Sequence, residues 1–196
     1  MKKIFLVVSA FMIAATSLSG QNTTETFAKK DNVLGLGFGI GGVYGITSAS
    51  SQSPVFGVQY DRGIIELGMG GVIGVGGFMG YKSIVDKYDD FTGTYKDKFS
   101  ILIFGARGTF HYDLFKVKNL DTYAGTMIAF HSVSHKRDYP YYNNNNNNYY
   151  YRKSPGSAAY ASLFAGAKYY FAPQVAAYAE VGYGVSWLTM GIAFKF

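Results

Sequence analysis

The chain contains no cysteine, 4 prolines, 1 tryptophan and little charge, with Asp, Glu, Lys and Arg making up 15% of its 196 residues. Without cysteine it is neither a disulfide-stapled scaffold nor a lipoprotein anchored through a thiol. It also has no apolar run of roughly 20 residues, the length a helix needs to cross a bilayer. The formal charge is +6 and the sequence pI about 9.3, but the basic residues are scattered. That scatter argues against a nucleic-acid surface. Hydrophobic content of 48% is ordinary for a folded chain.

What the chain has in excess is Gly 25, Tyr 18 and Phe 16. High glycine and aromatic content with low charge suits membrane strands, with crowded interiors and aromatic rims. The last nine residues, Leu188-Thr-Met-Gly-Ile-Ala-Phe-Lys-Phe196, show the pattern most clearly. Successive side chains of a strand point to opposite faces. Leu188, Met190, Ile192, Phe194 and Phe196 therefore share an apolar face, and Thr189, Gly191, Ala193 and Lys195 a small or polar one.

The amino terminus reads as an export leader over residues 1–20. Lys2 and Lys3 form a basic start, Ile4 to Ala15 an apolar core too short to span, and Thr16 to Gly20 a small-residue stretch. Ser17 and Ser19 suit the positions before a cleavage site, with cleavage after Gly20 as the alternative. Residues 21–32 are then a short periplasmic segment and 33–196 a single domain.

Alternation of period two marks eight segments in that domain. They run about Val33–Tyr44, Val55–Asp61, Ile64–Tyr81, Phe99–Tyr112, Thr122–Val133, Ala158–Phe171, Val175–Val185 and Leu188–Phe196. In the fifth, Met127 and Ile128 compete for the apolar face. Asp61-Arg62-Gly63 and Phe171–Gln174 read as tight turns, with His111–Asp121 a somewhat longer link on the same side. Ile46–Pro54, Lys82–Lys98 and Ser134–Gly156 read as long polar loops on the other, while the connection around Val185–Trp187 is short. The expectation is an all-β, eight-stranded antiparallel transmembrane up-and-down β-barrel, short-turned inside and long-looped outside, with both mature termini in the periplasm.

Three further features resemble the small OmpA-like or porin-like outer-membrane barrel families. They are Phe110-His-Tyr-Asp-Leu114 followed by Leu120-Asp-Thr-Tyr-Ala-Gly125, then Ala177-Tyr-Ala-Glu-Val-Gly-Tyr-Gly184, then the Phe-ended final strand. The resemblance covers essentially the whole mature chain and specifies architecture far better than activity. It implies residence in outer-membrane lipid, insertion by the barrel assembly machinery with Phe194 and Phe196 as the insertion signal, and a monomer. The chain ends with the barrel, so no peptidoglycan-binding domain is expected.

Several residue clusters invite a functional reading. Gly37-Phe-Gly-Ile-Gly-Gly42 matches a dinucleotide pattern as text, but no helical period follows it, so its inward glycines read as room for bulky neighbours. Glu66, Arg107, Lys168 and Glu180 fall on inward faces. Two acids and two bases in a narrow interior imply mutual pairing, Lys168 with Glu180 and Glu66 with Arg107. Such a network is either a plug that holds the register or a gate for small ions. His131, Ser132, Ser134 and His135 invite an envelope-enzyme reading, yet no acid is fixed to orient either histidine. His131 and His135 lie roughly 13 Å apart along a strand, too far for one ion.

Finally, Tyr141 and Tyr142, then Tyr149, Tyr150 and Tyr151, flank an asparagine run in the last long loop. That loop is either a tolerated insertion or an adaptable binding surface. The function expected is non-enzymatic and cofactor-free: an envelope-stabilising or surface-binding barrel, with gated passive transport of small solutes or ions as the alternative.

Overall fold

The computed structural model describes residues 26–42, 51–67, 70–90, 93–138 and 156–196. The leader and the tract holding Tyr141, Tyr142, Tyr149, Tyr150 and Tyr151 lie outside the described residues. Nine strands occur among those described: β1 Asn32–Ile40, β2 Ser51–Gln52, β3 Val55–Leu67, β4 Gly71–Asp90, β5 Gly93–Tyr112, β6 Leu120–Asp138, β7 Ala158–Ala172, β8 Val175–Tyr183 and β9 Leu188–Lys195. No helix occurs among them.

Eight of the strands form one antiparallel ring. Each long strand pairs with its chain neighbours, and β1 closes the circle by pairing with both β3 and β9. The two-residue β2 continues the course of β3 along β4, through Ser51↔Val85 and Gln52↔Ile84. Pro54 breaks the two apart because it has no N–H for the ladder. Ser53 covers the gap, donating its N–H to the Ser83 carbonyl (2.9 Å) and accepting the Ser83 N–H on Oγ (2.9 Å).

The alternation resolves into an inside and an outside. Leu36, Phe38, Phe56, Val58, Val75, Met79, Leu102, Phe104, Phe130, Leu163, Val181, Met190 and Ile192 are all exposed on the outer wall. An apolar belt around a closed barrel is the surface that lipid covers. In β6 the competition ends with Met127 buried inside and Ile128 exposed outside. At the carboxyl end Phe194 is half-buried on the outer side and Phe196 is exposed, its backbone exchanging hydrogen bonds with Asn32 of β1 (2.9 and 3.1 Å). The final residue thus helps seal the ring.

Two sequence expectations change. Asp61-Arg62-Gly63 is not a turn: β3 runs through it to Leu67, and the reversal follows, with Gly70 N–H donating to the Leu67 carbonyl (3.0 Å). The polar triplet imitates a turn because Asp61 is held inside the barrel by charge, as described below. Lys82–Lys98 is not a loop either, since β4 and β5 stay paired out to Asp90↔Gly93. Its mixed charges alternate across the two faces of a hairpin.

The segment before β1 is not a free tail. It folds under the barrel and drops Phe27 into the mouth, where the ring is 4% exposed and stacks on His111 at 3.7 Å. The Lys30 N–H donates to the Gly63 carbonyl (2.9 Å) and the Gly63 N–H to Asp31 (3.0 Å). A register shift in β3 follows Gly63, and a Cβ at that position would run into the Ala28 carbonyl. Only glycine lets the segment cross there.

Candidate functional site

The barrel interior is layered. Val55, Ile84, Phe99, Ile101, Ile103, Met127, Ala129 and Val185 form an apolar cluster in one half, and Phe27, Val33, Val72, Tyr170, Ala176, Tyr178 and Ala193 another around the Phe27 mouth. A charged layer lies between. Inward glycines make space, as at Gly37, where a Cβ would meet the Tyr178 hydroxyl.

Arg107 centres the charged layer. It donates from Nη1 to Gln59 Oε1 (2.7 Å) and from Nη2 to Glu180 Oε1 (2.8 Å), while its Nε lies 2.9 Å from Asp61 Oδ1. The guanidinium also stands 4.2 Å over the Phe164 ring. Tyr123 donates its hydroxyl to Glu180 Oε1 (2.8 Å). Lys168, fully buried, sits 3.6 Å from Asp61 Oδ2 and 3.8 Å from Asp121 Oδ2, with the Tyr123 ring 3.7 Å away. Asp121 in turn faces His111 Nδ1 (2.9 Å), whose Nε2 meets Thr109 Oγ1 (3.1 Å). Three carboxylates thus surround two fixed cations, the arrangement that makes buried charge tolerable.

Arg107, Lys168 and Glu180 therefore share one interior layer, but their partners differ from those expected. Lys168 faces Asp61 and Asp121, and Glu180 faces Arg107. Glu66 stands outside the network. It is exposed at the barrel rim, accepting the Lys29 N–H (3.3 Å). The turn comes after Leu67 instead of at Asp61–Gly63, so Glu66 lies at the end of β3 rather than opening the next strand. Asp61, Asp121 and His111 escape a reading of the sequence, and inward-facing Gln59 shows no sign there of its bond to Arg107. Asp61 was hidden in a turn-like triplet, whereas His111 and Asp121 were assigned to the link between strands.

The interior leaves little lumen. Beside Arg107 and Glu180 lies a cavity of about 30 Å³, bordered also by Phe78, Met127 and Phe164. That volume holds water rather than a solute.

A second feature lies at the opposite end from Phe27. Among the described residues, β6 pairs with β7 up to His131↔Ala158 and continues along β5 to Lys96↔Asp138. Among the described residues, the β4–β5–β6 ladder therefore projects roughly 20 Å along the strands beyond the last β6–β7 pair. Its inner face buries Lys82 together with two acids, and its outer face shows lysines. Asp86 and Asp97, in register with each other, are buried, and His135 lies 3.2 Å from Asp97 and stacks on Phe99 at 4.5 Å. Lys87, Lys96, Lys98 and Lys136 are exposed on the other face, in the register pairs Lys87↔Lys96 and Lys98↔Lys136. An acid does orient His135, then, but Ser132 and Ser134 are exposed on the outer face while His131 and His135 turn inward. No serine–histidine pair can form from them. No metal-holding cluster of acids and histidines occurs among the described residues.

No family model and no curated protein matches the chain. Among solved structures it is similar to the N-terminal β-barrel domain of OprF from Pseudomonas aeruginosa. The identity is 14% and the TM-score 0.45, over 86% of this chain and 98% of that one. It is also similar to Ail, the attachment invasion locus protein of Yersinia pestis, solved in complex with the heparin analogue sucrose octasulfate. There the identity is 9% and the TM-score 0.47, over 86% and 99% of the two chains. The architecture rests on the chain's own ladder of strands: this is an eight-stranded, closed, antiparallel β-barrel with an apolar outer wall.

Proposed function

We propose that the chain is a non-enzymatic outer-membrane barrel whose projecting β4–β5–β6 sheet is a binding surface for anionic partners outside the cell. The observation that carries this reading is the group of lysines on the exposed face of that sheet. Lys98 and Lys136 oppose each other across adjacent strands on an exposed face, with Lys87 and Lys96 beside them. Like charges directly opposite are unfavourable in a sheet. An anion that bridges them relieves the repulsion. Outer-membrane residence follows from the apolar belt together with short connections at one end and long strands at the other. Transport draws no comparable support, because apolar clusters fill both halves of the interior.

The test is binding of a sulfated polysaccharide to the protein in liposomes, with neutral dextran as reference. Lys96→Gln, Lys98→Gln and Lys136→Gln combined should weaken binding at least tenfold and remove most of its salt dependence. Replacing 139–155 by a short turn should weaken it independently. Equal binding by wild type and the triple variant would overturn the proposal.

A further inference from the structure

The link between β5 and β6, residues 113–119, lies at the Phe27 end of the barrel and carries an unusual surface. Leu114, Phe115 and Val117 are 64%, 63% and 48% exposed, and Lys116 and Lys118 alternate with them in full view of solvent. Links that sit in water have no reason to display three large apolar side chains together. Nor is the link a loose strand end. The Leu114 N–H donates to the Tyr112 carbonyl (2.8 Å), Leu120 N–H to the Val117 carbonyl (3.1 Å), and Thr122 Oγ1 closes onto the Tyr112 carbonyl. Lys116 and Asn119 adopt left-handed φ values of 52° and 66° to make the bends. The apolar display is held in place.

What surrounds it identifies the occupant. β5 enters the link through Phe110 and Tyr112, which face outward and stack with ring centroids 6.2 Å apart. On β7, which pairs with β6 at Leu120↔Tyr169, Tyr169 and Phe171 are exposed on the same outer wall. The link thus continues the lipid-facing surface downward, with the exposed Asp113 between Tyr112 and Leu114. Apolar residues interleaved with lysine are the composition that settles at a bilayer interface, rings among the acyl chains and ammonium groups at the phosphates.

We infer that the 113–119 link is a membrane-interface anchor, which inserts Leu114, Phe115 and Val117 into the periplasmic leaflet and sets Lys116 and Lys118 against phospholipid phosphates. The inference rests on the reading of the barrel as membrane-spanning. It gives the barrel a wedge on one side of its circumference, which fixes depth and tilt where the remaining turns at that end are short.

The experiment uses the full chain in bilayers, with Trp187, the single tryptophan, replaced by Trp187→Phe. Phe115→Trp then reports on the link and Phe110→Trp on the barrel wall. Expected is blue-shifted emission from both reporters, quenched by lipids brominated on the upper acyl chain and shielded from acrylamide. If the wall reporter is lipid-quenched while the link reporter is quenched by acrylamide, the anchor is overturned and the barrel stands. A docking surface for a periplasmic protein would then be the occupant. If both reporters are water-exposed, the membrane-spanning reading itself fails. Lys116→Gln with Lys118→Gln should abolish the extra acrylamide shielding that phosphatidylglycerol gives over phosphatidylcholine. Shielding that is unchanged in that variant would overturn the headgroup contact.

Discussion

Asp61 Oδ1 and Arg107 Nε stand 2.9 Å apart although their strands do not touch. β4 runs between them, and the residue in register with both is Gly76. The ion pair bridges β3 and β5 across a position that has no side chain. A Cβ at 76 would run into the Tyr60 carbonyl. Gly76→Ala should therefore force the ladder apart at the layer where the charges meet, costing about 1–3 kcal/mol. Urea unfolding in lipid vesicles measures this. An unchanged midpoint would show that the strands have slack there.

The charge layer itself makes a sharper prediction. Arg107→Met strands Asp61 and Glu180 without their shared cation, and breaking a buried pair from one side costs about 3–5 kcal/mol. Adding Asp61→Asn and Glu180→Gln removes the orphaned charge, so the triple variant should regain much of that loss. A triple variant less stable than Arg107→Met alone would mean that the network contributes through hydrogen-bond geometry rather than charge balance.

The barrel was legible in the sequence because a period of two survives whatever packs on either face. Leu188 to Phe196 needs only alternation to be read. The interior partners were less legible, because pairing depends on stagger between strands, which alternation does not fix. Lys168 is diagonal to Glu180 through the β7–β8 turn, yet meets Asp61 from across the barrel. Glu66 lands at the rim for a local reason: β3 runs on through Asp61-Arg62-Gly63, so the turn follows Glu66 instead of preceding it. The Lys82–Lys98 segment looked like a solvated loop because its charges were read as a composition. Taken in alternation, Asp86 and Asp97 fall inside while Lys87, Lys96 and Lys98 fall outside.

Phe27 closes the mouth nearest the charged layer, which makes His111 a reporter for that closure. The two rings stack at 3.7 Å and His111 is 2% exposed. Phe27→Ala should lose on the order of 3 kcal/mol of stability. It should also let diethylpyrocarbonate modify His111, read by mass spectrometry after digestion. The reagent should leave His111 untouched in wild type. Modification of wild-type His111 at the rate of an exposed histidine would show that the segment does not hold the mouth shut.

Opening that mouth should not make a pore. Past the charged layer, a solute still meets Ile101, Ile103, Phe99, Met127 and Val55, packed into one cluster across the other half of the barrel. An apolar constriction excludes ions by keeping water out, whatever charges lie beneath it. In planar bilayers, wild type and Phe27→Ala should both lack steady conductance. Ile101→Ser with Ile103→Ser in the Phe27→Ala background should admit brief, small openings, since it wets the one remaining dry layer. Steady current from Phe27→Ala alone would place the barrier at the N-terminal segment and make the apolar half a conduit. With the cavity beside Glu180 at only about 30 Å³, the dry layer is the stronger barrier.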